Sequence, residues 1–179
     1  MIKKASEIIG LPIICLNENC KFMEIKDLIY SQSKYKIEAL VIQEGKYFQD
    51  RKAIIFQDVI KFEENSIIIL NKDSIQSVKN NSNICDESSV IEDLFGIEVT
   101  VEGGFNIGLV QDITFETLSG KLEHLVVTEG IFDDLIEGRP LIPIENPLYM
   151  NQNSLIISSN SSEKIIYNTG GLKRILSME

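Results

Sequence analysis

Four carboxylates crowd one stretch of this chain: Glu129, Asp133, Asp134 and Glu137. Carboxylate oxygens at this density can hold a hard divalent cation, but the spacing is not that of a calcium loop. The first half of the chain offers only Glu44 and Asp50 in the corresponding region. The expected use is a solvated acidic loop that docks on a basic protein surface. Asp27 and Asp112, and likewise Arg51 and Arg139, occupy matching places in the two halves. A position kept in both halves points to the fold, so these are expected to be structural pairs or loop braces. His124, the one histidine, lies in no nucleophile–base pattern. It matches Ala39 of the first half, and a position that accepts both a methyl and an imidazole is expected to be partly exposed. There is no serine nucleophile motif and no CxxC, and Gly103-Gly104 opens no helix that could cradle a phosphate. No catalytic residue, cofactor site or resident metal ligand is assigned, and a non-enzymatic protein is expected.

The elements that must carry these residues come from a repeat. KIEALVIQEG at Lys36–Gly45 returns as KLEHLVVTEG at Lys121–Gly130, 85 residues later. Over the ungapped stretch from Asp27 against Asp112 to Gly45 against Gly130, seven of nineteen positions are identical, where about one match is expected by chance. Upstream, Gly10-Leu-Pro-Ile-Ile meets Gly96-Ile-Glu-Val-Thr; downstream, Asn65–Ile69 meets Asn153–Ile157. A period this long indicates a duplicated module rather than a solenoid.

Each copy reads as a string of short strands. A helical turn capped by serine and ended by glycine leads in, at Ser6–Gly10 and again at Val90–Gly96. Strands follow at Leu11–Leu16, Phe22–Tyr30, Lys36–Gly45, Ala53–Phe56 and Ser66–Leu70, then at Ile97–Val101, Ile107–Phe115, Lys121–Gly130, Leu141–Ile144 and Ser154–Ser158. Gln57–Val59 reads as a tight turn. The repeated strand is apolar on both sides, with Ile37, Ala39 and Val41 on one face and Leu40 and Ile42 on the other. Both of its faces therefore need cover. The polar run between the copies reads as a surface linker, and Leu172–Leu176 as a possible short amphipathic C-terminal helix. The expected bounds are domain 1 at 1–73, linker at 74–88, domain 2 at 89–160 and tail at 161–179.

Composition narrows the partners. The net charge is −10 and the pI about 4.7, with lysines scattered among carboxylates, so nucleic acid and anionic membrane surfaces are unsuited. No secretory leader or membrane-spanning run is expected. Cys15, Cys20 and Cys85 form an odd, unpatterned set, which predicts free thiols in a reducing cytoplasm.

Read in order, SEIIGLPI, IKDLIY, KIEALVIQEG, DRKAIIFQDV and SIIIL, then EDLFGIEV, LVQDITF, KLEHLVVTEG, GRPLIPIENP and SLIIS, resemble the PRC-barrel family. That family includes the cytoplasmic domain of the photosynthetic reaction-centre H subunit and the C-terminal domain of a ribosome-maturation factor. The resemblance implies an all-β chain of two tandem six-stranded barrels serving assembly and docking rather than catalysis. The expected function is a protein–protein interaction or assembly module. Its partner is an unidentified protein, and the two barrels are expected to pack together or the chain to self-associate. The alternative is a small-ligand or divalent-metal binder using the inter-barrel cleft or the acidic loop 129–137.

Overall fold

The computed structural model describes residues 1–18, 23–43, 51–80, 84, 88–130, 134, 138–145, 149–151 and 154–167. The chain divides into two compact units. The first is Met1–Glu92 together with Phe115–Leu122, and the second is Asp93–Thr114 with Glu123–Glu179. Strands dominate both, as the all-β reading requires.

The first unit contains β1 (Ile2–Lys4), β2 (Ile13–Cys15), β3 (Asp27–Ser31), β4 (Lys36–Gln43), β5 (Lys52–Ile55), β6 (Val59–Phe62), β7 (Ile67–Ile69), β8 (Ile75–Ser77) and β9 (Ser88–Val90). All but β1 form a five-stranded sheet in the order β8-β5-β4-β3-β9 and a three-stranded sheet, β2-β7-β6. The repeated apolar strand, β4, lies at the centre of the larger sheet. Ile37, Ala39, Leu40 and Val41 are all fully buried, and each of the Ile, Leu and Val side chains contributes about 1.5–3 kcal/mol by leaving water. Ile29, Ala39, Val41, Ala53, Ile55, Val78 and Val90 make one core cluster.

The second unit contains β10 (Glu98–Val101), β11 (Asn106–Glu116), β12 (Leu122–Thr128), β13 (Leu141–Pro143), β14 (Tyr149–Asn151) and β15 (Ser154–Ile157), followed by a short helix, Ser159–Ser162. Its strands run in the order β13-β12-β11-β10-β15-β14. The last residues of β11 and the turn after it count with the first unit. There the N–H of Ile37 donates to the carbonyl of Gly120 at 2.8 Å, and the N–H of Leu122 to that of Tyr35 at 2.9 Å. Lys36 and Lys121, the first residues of the two echoing segments, are bridge partners.

The same local bonding occurs in both halves. β2 pairs parallel with β7, and β10 pairs parallel with β15. Gly10 N–H donates to Ile25 and Gly96 N–H to Val110, each at 2.7 Å. The returning bonds, Ile25 to Leu11 and Val110 to Ile97, are each 2.9 Å. The glycine-ended turns are 3-10 turns, Ala5–Glu7 and Ile91–Leu94.

Several expectations need correction. The sheets are open and do not close into two six-stranded barrels. Most of the first unit's strands are only three to five residues long, and register shifts interrupt the ladders at Ile29/Tyr30, Val41/Gln43 and Val59/Lys61; such bulges bend strands and end pairing. The stretch read as a linker supplies one strand, β8, which pairs with β5, and the first residue of another, β9, which pairs with β3. Its polar composition marks edge strands as readily as loops. β6 follows directly on the turn at Phe56–Asp58. Leu172–Leu176 lies outside the described residues. Cys15 is disulfide-bonded, so the free-thiol reading fails for this cysteine. Sequence spacing cannot show which cysteines the fold brings within bonding distance.

Candidate protein-docking site

The acidic stretch is partly internal. The Asp134 Oδ2 accepts from the Arg139 Nε at 2.8 Å and from the Thr128 Oγ1 at 2.9 Å. Its side chain is 13% exposed, against 44% for Arg139. This carboxylate therefore braces the connection between β12 and β13. Glu129 is exposed, while Asp133 and Glu137 lie outside the described residues. Among the described residues no group of three or more His, Cys, Asp or Glu side chains is placed to hold a metal ion.

Beside that brace runs a groove of about 580 Å³ lined chiefly by the start of β11, by Thr128–Gly130 and by Tyr167. Its walls carry Phe105 at 75% exposure, Leu109 at 45% and Tyr167 at 51%, large apolar surfaces that a folded chain ordinarily covers. Gly108 shapes the floor. A Cβ there would lie 2.4 Å from the carbonyl oxygen of Thr128 and 2.9 Å from the Val127 Cγ1. At this point β11 and β12 leave no room for a side chain. At the rim, the Asn106 amide donates to the Glu98 carboxylate, and Glu129 adds a carboxylate. Sequence reasoning missed Phe105, Leu109 and Tyr167. The available signal was Phe105 itself, an aromatic placed directly after the Gly103-Gly104 turn, where no interior is in reach.

The recurring charges behave differently in each unit. Asp27 is 4% exposed, and its Oδ1 accepts the N–H of Leu28 at 2.7 Å and of Glu92 at 3.4 Å. Burial pushes its carboxyl up to about 6, the Glu92 charge adds to this, and the two N–H groups and the Arg51 guanidinium oppose it. Asp112 is equally buried and takes the N–H of Ile113 at 2.8 Å. Arg139, the counterpart of Arg51, serves Asp134. The partly exposed His124 meets the Thr114 hydroxyl at 3.2 Å through its Nδ1.

The brace and most of the groove's lining, all but Tyr167, fall within residues 87–164, which match the model of the PRC-barrel domain. No curated protein matches the chain. Among the described residues no helix is long and apolar enough to cross a membrane.

Proposed function

We propose that this chain is a non-enzymatic docking or assembly protein, that its halves are two copies of one PRC-type module, and that the groove between Phe105 and Tyr167 receives an apolar side chain of a protein partner. The exposed ring of Phe105 carries the reading. A catalytic cleft converges polar groups on a reacting atom, whereas this one presents two aromatic rings and a leucine beside a carboxylate. The net charge of −10 and Glu129 favour a basic partner segment. Asp134 supports the site by fixing the connection after Thr128 rather than by meeting the partner.

The test is hydrogen exchange on the chain with and without a partner captured from the source lysate, using a Phe105→Ser/Tyr167→Ser variant alongside. Slowed exchange confined to 105–109 and 128–130, with capture lost in the variant, is the expected result. Equal capture by both proteins rules the groove out.

A further inference from the structure

The first unit carries a second apolar surface, on the opposite kind of terrain: a flat sheet face. In the β2–β7 pair, Ile13, Cys15, Ile67 and Ile69 are buried. Between them, Ile14 stands beside Ile68, and Leu16 and Leu70 continue the same alternation. These four face outward: Ile14 is 47% exposed, Leu16 58% and Leu70 47%, with Ile68 partly exposed.

The second half of the chain supplies an internal control. Its β10–β15 pair has the same parallel register, Val99 against Leu155, Thr100 against Ile156 and Val101 against Ile157. The inward positions are again aliphatic, and three of the four, Val99, Leu155 and Ile157, are fully buried. The outward positions are Thr100, Glu102, Ile156 and Ser158. The fold thus tolerates polar residues at three of the four places where the first half has Ile14, Leu16 and Leu70. Packing within the unit does not require those aliphatic chains.

The rim of this face indicates what covers it. The Lys72 Nζ sits 3.4 Å from the Glu18 Oε2, and the Lys61 Nζ 2.5 Å from the Glu63 Oε1; Lys61 lies opposite Ile68 in the β6–β7 ladder. Two cations and two anions border the aliphatic row, so the border is locally neutral in an otherwise acidic chain. A basic segment or an anionic lipid surface finds no matching charge here. A second copy does: turned about a two-fold axis, the row meets itself, and lysines and glutamates can face each other across it.

We infer that the outer face of β2 and β7, centred on Ile14, Leu16 and Leu70, is a homodimer interface. The like net charges of two copies oppose this association at long range, so added salt strengthens it.

Sedimentation of the full chain between about 2 and 200 µM tests the inference. The expected result is a rise from the 20.2 kDa monomer to twice that mass, promoted by salt. An Ile14→Thr/Leu16→Glu/Leu70→Ser variant carries the second half's own residues at these places. It is expected to raise the dissociation constant about 100-fold or more, with an unchanged circular dichroism spectrum and melting curve. Leu16→Glu alone, at the most exposed position, gives a weaker loss and guards against a folding defect in the triple variant. Phe105→Ser leaves the dimer intact. A wild-type chain that stays monomeric throughout, whether or not another protein binds the face, overturns the inference. So does a triple variant that dimerises as the wild type does, or a dimer abolished by Phe105→Ser.

Discussion

The Phe115 ring stands edge-on to Phe62, with centroids 5.9 Å apart and planes at 69°. Phe56 completes the trio, 6.3 Å from Phe115 and 5.5 Å from Phe62. Phe115 comes from the second half of the sequence but belongs to the first unit, whose core it enters with no exposed surface.

A fragment ending at Glu92 therefore lacks both this ring and the backbone bonds from Gly120 and Leu122. Such a fragment is expected to show no cooperative urea transition. In the full chain, Phe115→Ala is expected to cost about 3–5 kcal/mol, read as a fall in the urea midpoint. A fragment 1–92 that melts sharply would falsify the composition of this unit.

Gly120 sits at φ +77, and a Cβ there would come 2.9 Å from the carbonyl oxygen of Ile37 and 3.2 Å from the Phe56 ring. Its counterpart in the first half, Tyr35, also has positive φ, at 49, so the turn takes this conformation in both halves. Gly120→Ala adds backbone strain and a contact with a carbonyl that cannot retreat. The expected loss is about 1–3 kcal/mol, checked by thermal unfolding; an unchanged midpoint would show that the turn can shift freely.

Asp27 makes stability depend on pH in a stated direction. Its folded value of about 6 stands above the ordinary 3.8, so between these values the folded state holds a proton that the unfolded state has released. The contribution is complete below about pH 4 and is lost as pH rises through about 6; the full shift corresponds to roughly 3 kcal/mol at most. Asp27→Asn keeps an oxygen for the Leu28 and Glu92 N–H groups and removes the titration. Relative to wild type, the variant is expected to gain stability between about pH 4 and pH 7, measured by urea unfolding at each pH. Parallel curves would exclude Asp27 as the source.

The Cys15 disulfide is expected to stabilise the fold by about 2–4 kcal/mol. Reductant should lower the melting temperature of the wild-type chain and leave Cys15→Ser unchanged, and peptide mapping without reductant should show Cys15 cross-linked. Identical melts with and without reductant would contradict the bond. Thiol trapping in intact cells addresses the proposed cytoplasmic setting directly: a reduced Cys15 supports it, and an oxidised one argues for an oxidising compartment.

Much of the local structure was legible before folding. β4 and β12 follow from period-two apolar runs, and the 3-10 turns from serine-to-glycine punctuation. β11 fell within one residue of its expected bounds at each end. The hidden parts share a cause. β6 and β8 are only four and three residues long, so their alternation is too brief to stand out from a loop. Asp134 looked like a surface group because a carboxylate's sequence neighbours do not reveal that Thr128 and Arg139 will converge on it.

By itself the sequence determined the repeat, the strand periodicity and the acidic balance, because each depends on residues adjacent in the chain. Only the tertiary structure decided that β2 runs parallel to β7, that Phe115 completes the first unit, and that Ile14, Leu16 and Leu70 face outward. Those outcomes depend on which distant segments pair and in what register, and a shift of one residue would exchange every buried side chain for an exposed one.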